Sequence, residues 1–193
     1  LLNHEISISD ISTFLEAWNK INSDLCNDVY INYDSTNFPV RSDYSGLSEH
    51  GHAKEYDELA QVNLSYVTSA ENSRPLSYCL YPGSIHDSSE VNHTLKQINK
   101  YEYKNIGFIF DRAYYSESLI RRLKSAHYFF IFMLKDNYDF VSKIIDEYRI
   151  TLTGQYSCYI GEYQVSGITK KANIPRNENK PLYCYVHVFY DAY

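Results

Sequence analysis

At residues 106–116 the chain reads IGFIFDRAYYS, a short apolar run followed by an aspartate. A continuous apolar run of this length is typical of a central strand that is covered on both faces. The run therefore predicts a buried strand that ends at Phe110, with Asp111 at its carboxyl end. In open α/β sheets the ligand crevice lies at such ends, so Asp111 is a candidate functional residue.

The sequence after Asp111 continues an α/β pattern. Ser116 is placed to cap a helix whose apolar positions are Leu119, Ile120 and Leu123. Residues 128–134 predict a second buried strand, and a helix follows through residues 140–145. From about residue 150 the chain is rich in Tyr, Thr and Gly, and strict alternation at residues 182–190 predicts a β-ribbon beyond a polar loop at residues 170–180.

The sequence before the central strand predicts one helix and three strands. Ser9 or Asp10 can cap a helix with an apolar stripe at Ile11, Phe14, Leu15, Trp18 and Ile21. Alternation predicts a strand at residues 28–34 with Asp34 at its end, and residues 37–60 form a long polar loop. Strands at residues 61–68 and 76–81 suit a hairpin, and the capping-box spacing at residues 87–90 begins another helix.

These elements predict an α/β fold, with three antiparallel strands followed by two parallel strands with crossover helices, plus a β-rich insertion. The expected parts are an N-terminal helical segment at residues 1–26, a core at residues 27–149 and an incomplete insertion at residues 150–193. Right-handed crossovers place the fourth strand parallel to the first and beside it. Asp34 and Asp111 are then expected to lie side by side.

Composition limits the function classes. The 193 residues include 24 acidic and 18 basic side chains, a net charge of −6, and no apolar run long enough to cross a membrane. The start lacks a signal-peptide pattern and an initiator Met, which predicts a cytoplasmic fragment of a longer chain. Four scattered cysteines indicate free thiols. The histidines at positions 50, 52, 86 and 93 lack ligand spacing with a supporting carboxylate and are interpreted as solvated.

Two interpretations fit Asp34 and Asp111. Mg²⁺ favours one or two carboxylates together with waters and phosphate oxygens, so a pair of aspartates at neighbouring strand ends suits two-metal phosphoryl transfer. Alternatively, each aspartate caps the segment that follows it. The spacing alone leaves both interpretations open.

The residues around both aspartates resemble the catalytic domain of bacterial insertion-sequence DDE transposases. Tyr33-Asp34-Ser35-Thr36 is similar to the motif of the first catalytic aspartate, and residues 110–116 are similar to the second, usually Asp-x-Gly-Tyr-x-Ser. Three landmarks between them match in order, at residues 51–54, 74–76 and 83–87. The resemblance runs from about residue 28 to residue 190.

This resemblance implies a ribonuclease-H-like fold of the retroviral-integrase superfamily and an activity in DNA transposition. That activity is metal-dependent phosphodiester hydrolysis and strand transfer at transposon ends. Asp34 and Asp111 would be catalytic and would hold two Mg²⁺ or Mn²⁺ ions, while Thr36, Asp87 and Tyr114 would be structural residues near the site. Asp87 can also be interpreted as a helix N-cap. The implied partners are transposon-end and target DNA and a second copy of the chain, in a bacterial cytoplasm without membrane contact.

The sequence also departs from the family. Ala53, Ser84 and Ala113 replace the usual Ser, Asn and Gly. No stretch fits the Tyr-x2-Arg-x3-Glu-x6-Lys motif of the third carboxylate, so this residue is expected beyond Tyr193 and the fragment is expected to be weak or inactive alone. A decayed, non-catalytic remnant that acts as a binding or interaction domain is the alternative. A phosphohydrolase with Asp34 as nucleophile is a third interpretation, but the usual second aspartate two residues later is missing.

Basic residues supply the candidate DNA contacts, although each also fits an ordinary solvated surface charge. Those near the motifs or on the predicted basic helix face could reach phosphates, and two others lie in the polar loop of the β-rich part. The set is Lys54, Arg112, Arg121, Arg122, Lys124, Lys170 and Lys171.

Overall fold

A computed structural model describes residues 7–25, 28–41, 46–51, 59–154, 156–174 and 180–191. The helices are α1 (Ile8–Leu25), α2 (Asp87–Ile98), α3 (Glu117–Ser125) and α4 (Asp139–Gly154). The strands are β1 (Asp28–Pro39), β2 (Gln61–Ser69), β3 (Pro75–Pro82), β4 (Asn105–Phe110), β5 (Phe129–Phe132), β6 (Tyr159–Ile160), β7 (Val165–Asn173) and β8 (Tyr183–Tyr190). Short 3₁₀ turns lie at Arg112–Tyr114 and Tyr156–Cys158.

The five-stranded sheet confirms the fold class predicted from the sequence. Its order is β3-β2-β1-β4-β5. The first three strands pair antiparallel, whereas β4 is parallel to both β1 and β5. A second sheet of three antiparallel strands, β6-β7-β8, forms the β-rich part.

The chain divides into two compact units. One comprises Leu1–Tyr114 and Leu123–Phe132, and contains the five-stranded sheet with α1 and α2. The other comprises Tyr115–Arg122 and Met133–Tyr193, and in it α4 packs against β7 and β8. No helix in the described ranges is long and apolar enough to cross a membrane.

Aromatic side chains fill the core of the first unit. Along β1 the side chains alternate as predicted, with Ile31 and Tyr33 buried and Asp34 exposed. The ring of Phe110 on the neighbouring β4 stacks on Phe132 of β5 at 4.8 Å and lies 5.8 Å from the ring of Tyr33. Such pairs add to the hydrophobic contribution of their buried area, so Tyr33 within β1 and Phe110 at the end of β4 are held next to each other.

The predicted apolar stripe of α1 is only partly correct. Phe14 and Ile21 are 62% and 60% exposed, whereas Asn19 is fully buried. Asn19 donates hydrogen bonds to the carbonyl oxygens of Leu15 and Leu76, and accepts one from the Tyr103 hydroxyl. Polar anchoring to β3 thus sets the orientation of α1. The helix is capped by Ser7, whose Oγ accepts a hydrogen bond from the Asp10 amide, and not by Ser9 or Asp10.

Several predicted boundaries also change. The strand at residues 129–132 lies at the sheet edge with Phe129 and Ile131 at least 60% exposed, so the prediction of a buried strand is wrong. β1 continues to Pro39, α4 continues to Gly154, and β7 reaches Asn173, which places Lys170 and Lys171 in a strand and not in a loop. The Ser116 cap is confirmed, because its Oγ accepts a hydrogen bond from the Leu119 amide at 3.2 Å.

Candidate active site

Strand pairing brings Asp34 of β1 close to Asp111, which directly follows β4. The last paired residues of the parallel ladder are Tyr33 and Phe110, and each aspartate is the next residue along the chain. Both paired aromatic residues are buried and both aspartates are exposed. The two aspartates therefore follow neighbouring, in-register positions at the point where β4 ends and β1 continues to Pro39, and solvent can reach both.

Each aspartate uses one carboxylate oxygen to accept a hydrogen bond from the next backbone amide. Asp34 Oδ1 accepts a hydrogen bond from the Ser35 amide at 2.8 Å, and Asp111 Oδ1 accepts one from the Arg112 amide at 2.7 Å. The capping interpretation therefore holds for Asp111, which precedes a 3₁₀ turn, but not for Asp34, which lies within β1. Neither bond excludes ion binding, since each occupies only one oxygen of its carboxylate.

Tyr66 on β2 contacts the second oxygen of Asp34. These two residues are directly paired across β1 and β2, and the Tyr66 hydroxyl donates to Asp34 Oδ2 at 2.9 Å. This hydrogen bond is the main reason why the pKa of Tyr66 is raised, so the phenol stays protonated and orients the carboxylate. The donor set at the strand ends consists of oxygen atoms, which suits a hard cation such as Mg²⁺.

The Asp87 carboxylate is the final acceptor in a series of hydrogen bonds between hydroxyl groups next to β1. The Ser35 hydroxyl donates to Asp87 Oδ2 and the Tyr81 hydroxyl donates to Asp87 Oδ1, both at 2.6 Å. Because Ser35 donates to Asp87, its bond of 2.5 Å with Tyr114 is donated by the Tyr114 hydroxyl. The N-cap interpretation of Asp87 is wrong, since His86 occupies the N-cap and no side chain caps α2.

These hydrogen-bonded hydroxyl groups connect β1 next to Asp34 with the 3₁₀ turn that follows Asp111. Ser35 directly follows Asp34, and Tyr114 ends the 3₁₀ turn that follows Asp111. Burial raises the pKa of Tyr114, and the charges of Asp87, Asp34 and Asp111 raise it further. Burial and the bond to Asp87 likewise raise the pKa of Tyr81. Both phenols therefore remain hydrogen-bond donors at neutral pH.

A cleft of about 200 Å³ opens beside Asp87, and Thr36 and Tyr114 also line it. Two buried amides fasten the turn before α2 along its wall. Gln61 Nε2 donates to the carbonyl of Gly83, and Asn63 Nδ2 donates to that of Ile85 at 3.1 Å. Predicted near-site residues Thr36, Asp87 and Tyr114 are thus brought together in the first unit.

The glycines of two motif landmarks have a packing role. A Cβ atom built on Gly51 would overlap the carbonyl group of Gly83, and one built on Gly83 would overlap the carbonyl oxygens of Glu49 and Gln61. These backbones touch directly, so neither position has room for a side chain. This close contact between the two backbones fixes the turn that precedes Asp87.

The candidate DNA contacts are distributed over both units. Arg112 is exposed directly after Asp111, and Arg122 and Lys124 are exposed on α3. Arg121 pairs with Glu117 at 2.7 Å and also donates to the Lys180 carbonyl. In the second unit the Lys170 ammonium lies 4.1 Å from the centre of the Tyr148 ring, and that of Lys171 lies 5.4 Å from Tyr183. Lys54 is outside the described residues.

Three residues of this region were missed in the sequence: Ser35, Tyr66 and Tyr81. Ser35 stands inside the first aspartate motif but just beyond the predicted strand, and in the structure the alternation of β1 continues and buries it. Tyr66 and Tyr81 carry no local signal. Their contacts depend on the register of β2 and on the packing of α2 against β3, which the sequence pattern does not specify.

The strand order is that of the ribonuclease-H-like mixed sheet that the sequence predicted. Residues 29–185 match the family model described as transposase DDE domain, and the chain belongs to this family. None of the curated protein sequences matches the chain.

Solved transposase structures share only a distant likeness with the chain. A Mos1 transposase paired-end complex with left transposon end is 12% identical with a TM-score of 0.38, and covers 77% of this chain and 56% of its own. A piggyBac transposase synaptic complex with hairpin DNA is 10% identical with a TM-score of 0.40, and covers 79% and 36%. A pre-cleavage Mos1 transpososome is 13% identical with a TM-score of 0.37, and covers 80% and 53%.

This chain therefore spans about half the length of the Mos1 chains and about a third of the piggyBac chain. The family assignment rests on the family model, and the fold class rests on the strand order. The distant likenesses add no weight to either.

Proposed function

We propose that this chain is part of the catalytic domain of a DNA transposase, in which Asp34 and Asp111 bind divalent cations. The observation that carries the proposal is the in-register placement of Asp34 on β1 and of Asp111 directly after the parallel strand β4. The chain belongs to the transposase DDE domain family, and the reaction that we propose is hydrolysis of a phosphodiester at the transposon end followed by strand transfer. We also propose the division into residues 1–26, a catalytic core at 27–149 and an insertion at 150–193.

The side chains of this site would act mainly by positioning. Tyr66 holds one oxygen of Asp34, and backbone amides hold one oxygen of each aspartate. The hydrogen bonds from Tyr114 to Ser35 and from Ser35 to Asp87 fix β1 relative to the turn that follows Asp111. When Mg²⁺ or Mn²⁺ is bound there, it supplies activation of the attacking oxygen and stabilisation of the leaving oxygen in an in-line displacement.

The same proposal includes DNA and a second copy of the chain as partners. Arg112 would contact a phosphate near the reacting bond, because it directly follows Asp111 and is exposed. Lys170 and Lys171 lie on β7 beside tyrosine rings of other elements. They would contact the phosphate backbone elsewhere on the DNA. The net charge of −6 leaves DNA affinity dependent on such local basic residues.

Mn²⁺ binding to isosteric variants tests the site. We expect Asp34→Asn and Asp111→Asn each to weaken Mn²⁺ binding by about tenfold or more, since affinity follows the number of charged oxygen ligands. Asp136→Asn, at an exposed aspartate in a turn, is the matched control and should bind Mn²⁺ like the wild type. Isothermal titration calorimetry measures the binding, and circular dichroism verifies the fold. Equal binding by all three variants would contradict the metal site.

DNA cleavage separates the catalytic proposal from that of a remnant. No stretch matches the third carboxylate motif, so we expect little or no cleavage by this chain with Mg²⁺. Robust cleavage that Asp34→Ala abolishes would show that the third ligand is already present. Wild-type DNA binding without measurable Mn²⁺ binding would favour a non-catalytic interaction domain.

A further inference from the structure

A second group of metal-ligating side chains lies between α2 and β3, apart from the aspartate pair. Helix α2 runs antiparallel to β3 along one face of the sheet. Gln97 lies within hydrogen-bonding distance of Ser77, and Asp87 accepts a bond from Tyr81. Halfway along this contact, Cys79 of β3 faces the middle turn of the helix.

Three donor atoms of different kinds converge at this point. The Cys79 sulfur, a Glu90 carboxylate oxygen and a His93 ring nitrogen all lie within 4.8 Å of one another. The His93 Nδ1 atom is 3.1 Å from Glu90 Oε1. Around a tetrahedral Zn²⁺, with bonds of about 2.0–2.3 Å, donor atoms are separated by roughly 3.3–3.6 Å. Movements of about 1 Å would bring these donors to such separations.

Glu90 is the member of the group whose buried negative charge most needs a nearby cation. Its side chain is 8% exposed, and a buried carboxylate is costly unless it is paired or bound to a metal. In the described part of the chain, His93 is its one basic partner, and no lysine or arginine forms an ion pair with it. Asp87, one helical turn earlier, adds a further negative charge to the same face.

We propose that Cys79, Glu90 and His93 bind a zinc ion that ties α2 to β3. Sulfur and imidazole ligands favour Zn²⁺ over Mg²⁺, which prefers oxygen alone. The His93 side chain is 52% exposed, so a water molecule can complete the tetrahedron. Binding converts the Cys79 thiol to a thiolate and releases its proton to solvent. The ion has a structural role, because it fixes the helix that carries Asp87, and it is independent of the proposed transposase activity.

Co²⁺ titration of the purified 193-residue protein tests the site through the sulfur ligand. Excess MgCl₂ is present throughout, so that oxygen-only sites are occupied. We expect one equivalent of Co²⁺ to produce a near-ultraviolet thiolate-to-cobalt absorption, and Zn²⁺ to abolish it. We also expect one bound zinc ion per chain after dialysis against Zn²⁺. Elemental mass spectrometry measures this metal content.

Variants identify the ligands. Cys79→Ser should remove the absorption, and Glu90→Gln and His93→Gln should weaken zinc binding about 100-fold or more, since loss of even an outer partner costs 10–100-fold. Cys158→Ser is the matched control, because Cys158 is also half-buried but lies outside this group. If Cys79→Ser fails to fold, Glu90→Gln, which keeps the side-chain size, decides the question. No thiolate absorption in the wild type, or an unchanged absorption in Cys79→Ser, overturns the proposal.

Discussion

Replacing Asp87 by alanine tests whether its carboxylate holds β1 at Ser35 in place relative to the turn that follows Asp111. The change removes two hydrogen bonds of 2.6 Å and leaves the hydroxyls of Ser35 and Tyr81 without their acceptor. Bonds to a charged group contribute about 1.5–3 kcal/mol each, and because both are only partly buried we take the lower value for each and expect a loss of about 3 kcal/mol in the free energy of unfolding. In a domain of this size each kcal/mol lowers Tm by about 2–4 °C.

Urea denaturation of the wild type and of three variants measures this contribution. Asp87→Asn keeps one acceptor oxygen and can donate to Ser35, so it should cost about 1 kcal/mol, clearly less than alanine. Tyr81→Phe removes one bond. In a double-mutant cycle with Asp87→Ala it should show a coupling energy of about 1–2 kcal/mol.

A loss below about 0.5 kcal/mol for Asp87→Ala, or additive effects in the cycle, would refute the role of Asp87 as a shared acceptor. Substitution of an ordinary surface aspartate changes stability by no more than that amount. The same variant should also weaken Mn²⁺ binding at Asp34 and Asp111. Unchanged Mn²⁺ affinity together with the expected destabilisation would limit Asp87 to a role in stability.

Two further predictions concern the same unit. Burial raises the pKa values of Tyr33, Tyr81 and Tyr114 above the ordinary 10, so the unfolded chain loses protons above about pH 10 that the folded protein keeps. Stability should therefore be intact below pH 10 and fall above it, by about 1.4 kcal/mol per pH unit for each such tyrosine. Tyr33→Phe, which removes one of these buried hydroxyls, should reduce this slope, and an unchanged slope in urea denaturation would contradict it. Gly51→Ala should cost about 3 kcal/mol or more because its Cβ overlaps the Gly83 carbonyl, whereas Gly46→Ala, with open space around it, should stay within about 0.5 kcal/mol; equal melting temperatures would contradict the close approach.

Local patterns predicted most of the first unit. The apolar run before Asp111 and the alternation before Asp34 have the period of strands, and both strands form as expected. The handedness rule for crossovers then placed β4 beside β1 without any knowledge of side-chain contacts. The aspartate pair could therefore be located from the sequence, because strand ends in a parallel ladder meet at one edge.

Predictions about faces and boundaries were less successful. The α1 stripe was assigned by hydrophobicity, yet Asn19 is buried and Phe14 exposed, since hydrogen bonds to β3 set the rotation of this helix. The run at residues 129–132 has the composition of a buried strand, but its place at the edge of the sheet leaves Phe129 and Ile131 exposed. Composition describes a segment, whereas burial depends on what packs against it.

The sequence by itself determined the strand order, the neighbouring positions of the two aspartates and the family resemblance, because these depend on periodicity, chain direction and short motifs. Only the tertiary structure decided what Asp87 binds, that Tyr66 orients Asp34, and that Cys79 meets Glu90 and His93. Glu90 and His93 stand three residues apart on α2 and are in contact, so the interpretation that His93 has no supporting carboxylate is wrong. Their partner Cys79 lies on another element, and its distance from them is set by how the helix packs on the sheet.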